Sequence, residues 1–209
     1  MNHEQPPVAF TPANEPYLGN VMLLEFDKLI ISAMEQNTRT APLSFNTTLT
    51  EHQVMASQVI AQALSIALSI RELIRQGYLF GGHVLLRPLI ERSTILLYLD
   101  LYPEDIEKWK SGWHNREAPS LPKMLKAIRN KIGLERLKND EHLMDTMNSL
   151  IHAKPDPAFW NLTILQNNEI GHSTSKILNR PKLCDDLCAD ILPWLVIVQT
   201  MMKRYFSDS

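Results

Sequence analysis

The sequence predicts an all-α fold: a single bundle of about six to eight helices, mostly antiparallel. Three observations carry this. Apolar residues recur at helical spacing through most of the chain, no stretch shows the alternation of a half-buried strand, and the breaks between helical stretches are mostly short. With 209 residues, 44% of them hydrophobic and 21% charged, one domain can bury most of its apolar surface without disulfides or metals.

The elements follow in order. Residues 1–17 hold Pro6, Pro7, Pro12 and Pro16 with little periodicity, and read as a flexible or surface-hugging tail before a helical domain over 18–206. A first helix is expected from Leu18 to Gln36, with Val21, Leu24, Phe26, Leu29, Ile30 and Ala33 inward. A second starts at the capping box Thr48-Leu49-Thr50-Glu51 and runs to Gln76. Its stripe is Met55, Val59, Ile60, Ala63, Ile66, Ala67, Ile70 and Ile74, which marks it as central, and Gly77 stops it. A third spans Leu79–Tyr102, with Pro88 kinking it or setting its start. Pro103-Glu104-Asp105 opens a short helix through Trp109, its acids where the helix dipole favours them. After a loop over 111–122, helices are expected at 121–132 and 134–152. The stretch 158–178 is ambiguous, a helix from Ala158 broken near Gly171 being one option. The last helix runs from Pro181 to Phe206, kinked at Pro193.

The formal net charge of -2 excludes a broad cationic field for nucleic acid, though not a local basic patch. The two cysteines, Cys184 and Cys188, form no disulfide framework, so a reducing, cytoplasmic home is expected. They read as core-facing thiols rather than half a zinc site, and no metal or cofactor is expected. Residues 1–7 lack the cationic start and apolar core of a signal segment. The apolar runs Val59–Ile70, Val84–Leu101 and Ile191–Met202 are interrupted by polar residues or short of about 20 residues, so no membrane span is expected.

Chemistry concentrates in three places. His83, Arg87 and Glu91 stand at i, i+4 and i+8 in an apolar stretch and would line one side of a helix. A buried Arg87 needs a carboxylate, and Glu91 is one turn away. The pair is either an internal ion pair that fixes packing or a pocket wall in which Arg87 holds an anion. Asn148 and His152 end a later helix; His152 either interacts with the helix C-terminus or serves as a general acid or base. His172, in Gly171-His172-Ser173-Thr174-Ser175-Lys176, belongs to a polar cluster that could cap a helix or offer donors to a phosphate.

The stretch Leu85-Leu86-Arg87-Pro88-Leu89-Ile90-Glu91-Arg92, running through Leu97-Tyr98-Leu99 to Pro103, together with Asn148 and His152, resembles uncharacterised bacterial helical proteins similar to the HEPN superfamily. That resemblance implies a small helical bundle acting as a dimer in toxin–antitoxin or phage-defence systems. Active HEPN members are metal-independent ribonucleases with an arginine, a polar residue and then a histidine. Here Met147, not arginine, precedes Asn148, and the Arg136 to His142 spacing places Leu137 where a polar residue is expected.

The expectation is therefore a non-catalytic binding or regulatory module, a homodimer with an RNA or nucleotide ligand, whose pocket holds His83, Arg87, Glu91, Asn148, His152 and His172. The first alternative is a metal-independent ribonuclease using His152 as general acid or base and Arg87 to stabilise charge. The second is a metal-dependent helical hydrolase built on His83, His152, His172 and Glu91.

Overall fold

The structure is a computed structural model that describes residues 10–43, 48–113, 118–133, 145, 148–149, 162–164, 169–172 and 176–206. The fold is all-α, a helical bundle. Among the described residues the helices are α1 (Val21–Thr40), α2 (Glu51–Arg75), α3 (Leu79–Leu101), α4 (Ile106–Lys110), α5 (Leu121–Ile132) and α6 (Pro181–Phe206). A 3-10 turn, Pro103–Asp105, leads into α4.

The helix ends show why the chain breaks where it does. Thr50 caps α2: its hydroxyl accepts from the Gln53 amide at 3.3 Å, and Gln53 Oε1 accepts from the Thr50 amide at 3.0 Å. The capping box therefore lies two residues beyond the one expected at Thr48–Glu51. At the other end Gly77 takes φ +80, Tyr78 N–H donates to the Leu73 carbonyl and Gly77 N–H to the Ile74 carbonyl. Those two bonds close the helix as a Schellman motif, which needs a residue tolerant of the left-handed region. Pro88 and Pro193 lie inside α3 and α6.

The described chain divides into two compact units. The first draws its residues from Met1–Asp27, Ser69–Arg87 and Leu137–Asp190. Its core is Leu18, Leu23 and Phe26, Ile70 and Ile74, Leu79 and Leu86, and Cys184, Leu187 and Cys188. Gly82 sits so close to Leu187 that a Cβ there would lie 2.8 Å from Leu187 Cδ2. The second unit draws from Lys28–Leu68, Pro88–Arg136 and Ile191–Ser209. Its core includes Ile30, Met55, Val59, Ile60, Ala63, Leu89, Ile90, Leu96, Leu99, Leu195, Val198 and Met202.

Several expectations need adjusting. Of the two options for the N-terminal tail, residues 10–17 take the surface-hugging one: Phe10, Thr11, Glu15 and Tyr17 all contact α1 or α2. The inward face of α1 is set by Leu23, Phe26, Asp27, Ile30 and Ala33, while Val21 is 62% exposed. Within the ambiguous stretch 158–178 the described residues include a short antiparallel ribbon, β1 (Leu162–Ile164) with β2 (Ile170–His172), in which Leu162 pairs with His172. The helix expected over 134–152 lies largely outside the described residues, within which Asp145, Asn148 and Ser149 are helical. Among the described helices α2 alone has the length and apolarity that crossing a membrane requires, and its apolar stripe from Met55 to Ile74 is buried within the fold.

Candidate functional site

Arg87 lies on α3, in the first unit. It is half-buried, and its Nη1 donates a hydrogen bond to Oδ1 of Asn148, 61 residues away in sequence. An amide oxygen orients the planar guanidinium fork without itself adding negative charge. His83 stands one turn earlier on α3. Burial pushes its pKa down to about 4, against an opposing pull from Asp186, so at pH 7 the imidazole is neutral. A neutral imidazole can give or take one hydrogen bond but adds no charge to the site.

Glu91, in the second unit, is on the wet side of α3. Its carboxylate pairs with Arg92 Nη1 at 3.5 Å, and the two side chains are 32% and 34% exposed. Arg92 Nε also donates to Gln62 Oε1 at 3.2 Å. Of the two readings of Arg87 and Glu91, an internal ion pair or a pocket wall, the sealed ion pair does not fit, because both residues are half-buried. The reason is geometric. The face of α3 turned inward is Leu86, Leu89, Ile90, Ser93, Thr94 and Leu96, and positions 87 and 91 fall beside it.

The sealed ion pair is elsewhere, in the first unit, and sequence reasoning missed it. Arg71 of α2 and Asp27 of α1 are 2% and 0% exposed. Arg71 Nε donates to Asp27 Oδ1 at 2.5 Å and Nη2 to Oδ2 at 3.0 Å, a bidentate pairing. Nη2 also donates to Thr11 Oγ1 at 2.8 Å, Tyr17 O–H donates to Asp27 Oδ2 at 3.1 Å, and the rings of Phe10 and Tyr17 lie 5.6 and 5.9 Å from the guanidinium carbon. Burial and the neighbouring Asp27 push the Tyr17 phenol well above its usual range, so it stays protonated and donates. A signal existed: Asp27 and Arg71 are opposite charges, each set among the apolar residues of its own helix.

Of the six candidate pocket residues, the structure brings Arg87 and Asn148 into contact and places His83 on the same helix as Arg87. His172 ends β2. His152 lies outside the described residues. Among the described residues no group of three or more His, Cys, Asp or Glu side chains is placed to hold a metal ion.

No protein-family model matches this sequence, and neither a curated protein nor a solved structure matches it.

Proposed function

We propose that this chain is a non-catalytic, HEPN-like binding or regulatory module, working as a homodimer in stress or phage defence, whose Arg87 engages a phosphate of an RNA or nucleotide ligand. The observation that carries the reading is the hydrogen bond from Arg87 to Asn148, which joins the two segments of the HEPN resemblance. The Asn148 amide orients the Arg87 guanidinium without adding negative charge of its own, and the planar fork of arginine suits a phosphate. The absence of an arginine beside Asn148, where Met147 stands, argues for binding rather than cleavage.

The test is fluorescence anisotropy of a labelled RNA oligonucleotide against wild type and Arg87→Gln. Losing one charge-assisted contact should weaken binding about tenfold or more and lower the salt slope by about one. Equal affinity and equal slope would remove Arg87 from the site. The competing ribonuclease reading draws on the same contact, since Asn148 stands four residues before His152. Cleavage of that RNA in chelator, abolished in His152→Ala, would establish it instead.

A further inference from the structure

One helix of the second unit carries more positive charge than its own fold accounts for. α5 holds Lys123, Lys126, Arg129 and Lys131 and no acidic residue, in a chain whose net charge is -2. Leu121, Met124 and Ile128, at i, i+3 and i+7, form its buried face. With about 3.6 residues per turn, Lys123, Lys126 and Asn130 fall together on the opposite side, and all three are exposed. Lys131 is exposed at the end of the helix, its Nζ 5.6 Å from the centre of the Tyr102 ring.

The first two lysines are not placed for stability. Lys123 sits in the first turn, where the helix dipole repels a cation, and Lys126, three residues on, adds like-charge repulsion. Arg129 and Lys131 are in the last turn, where the dipole favours them. Neither Lys123 nor Lys126 has an ion pair or hydrogen bond among the described residues. Tyr102, whose O–H donates to the Ala127 carbonyl at 3.1 Å, ties α5 to the acidic turn after α3. Two of that turn's carboxylates are already matched, Asp105 by Lys108 at 2.6 Å and Glu107 by Lys110 at 2.8 Å. A helix that enters a membrane needs its apolar side free; here that side is buried, and the exposed large apolar surface of α5 is Ile132 alone. What faces outward is a row of point charges and one amide, which suits a chain of phosphates.

We propose that the outer face of α5, with Lys123, Lys126, Asn130 and Lys131, docks the backbone phosphates of single-stranded RNA. The choice of RNA over other polyanions rests on the reading of Arg87 given above; the cationic face stands by itself, within the second unit. The 12 residues of α5 make a rod about 18 Å long, so a strand running along it meets several phosphates. Lysines hold the backbone without reading base edges, so this contact is independent of sequence and sensitive to salt.

The test is anisotropy of a labelled, mixed-sequence single-stranded RNA over a salt series. The full chain is compared as wild type, Lys123→Gln with Lys126→Gln, a control of equal charge (Lys182→Gln with Lys203→Gln), and Arg87→Gln. Each phosphate contact on a single strand contributes about 0.7 to the slope of log affinity against log salt, so the α5 pair should lower the slope by about 1.4 and weaken binding about tenfold or more at about 0.1 M salt. The control should lose clearly less, and both double variants should keep the wild-type melting temperature, all four lysines being exposed. An unchanged slope in the α5 pair, or an equal loss in the control, overturns the proposal. So does a marked loss of stability in the α5 pair, which would return those lysines to the fold. Arg87→Gln separates the two sites: a loss there alone removes α5, a loss in the α5 pair alone removes Arg87, and wild type that binds no RNA removes both. Lysine-dependent binding to phosphatidylcholine vesicles containing one phosphatidylserine in four, without affinity for RNA, gives the face to membranes and likewise overturns the proposal.

Discussion

Replacing Asp27 by alanine perturbs the fold at its most exposed weakness, an arginine with nowhere else to go. Arg71 is 2% exposed and spends two of its donors on the Asp27 carboxylate, at 2.5 and 3.0 Å. Without Asp27 the Thr11 hydroxyl still accepts from Nη2, but a hydroxyl offers no counter-charge. Breaking one half of a buried pair costs about 3–5 kcal/mol, because the remaining charge stays desolvated. Against a total stability of about 5–15 kcal/mol that is a large share, and for a chain this size it lowers the Tm by about 6–20 °C. Urea denaturation followed by circular dichroism at 222 nm reads the loss as a shift in midpoint. The double variant Asp27→Leu with Arg71→Met should recover most of it, since an apolar pair of similar volume removes the stranded charge. A loss below about 1 kcal/mol for Asp27→Ala, the range of an exposed pair, would refute the reasoning.

Two further outcomes follow from particular side chains. Thr94 is 1% exposed, and its hydroxyl has no hydrogen-bond partner among the described residues, so Thr94→Val should be neutral or stabilising, by up to about 1 kcal/mol; a clear destabilisation on chemical denaturation would mean the hydroxyl is satisfied. His83 titrates at about 4 in the folded chain against 6.5 unfolded. Its depressed pKa means the unfolded state binds the proton first, so its contribution is present above pH 6.5 and is lost as pH falls from 6.5 through 4. Between pH 7 and 4 wild type should lose about 2–3 kcal/mol more than His83→Gln, and parallel stability–pH curves would contradict this.

The helices were legible because period 3.6 is a strong signal in long amphipathic stretches. The stripe expected on α2 is buried nearly in full, Ile66 being only half-buried. Faces were less legible than helices. On α1 the buried set runs through Asp27, and a reading that counts only apolar residues rotates the face toward Val21 and Leu24. On α3 almost every position is apolar, so spacing alone does not say which side of Arg87 and Glu91 faces the core. The capping box was ambiguous because Thr48 and Thr50 both precede a suitable partner by three residues. The ribbon at Leu162–Ile164 and Ile170–His172 has strands of three residues, too short for alternation to register. The meeting of Arg87 with Asn148 depends on tertiary packing across 61 residues, which no local pattern encodes.

The double-mutant cycle on Arg87 and Asn148, read as affinity for labelled RNA, bears most directly on the proposed site. If Asn148 acts by aiming the Arg87 guanidinium, Asn148→Ala should weaken binding by itself, and adding it to Arg87→Gln should cause no further loss. If the two losses simply add, or if neither change alters affinity, the two residues do not act as one binding element and the site assigned here is wrong.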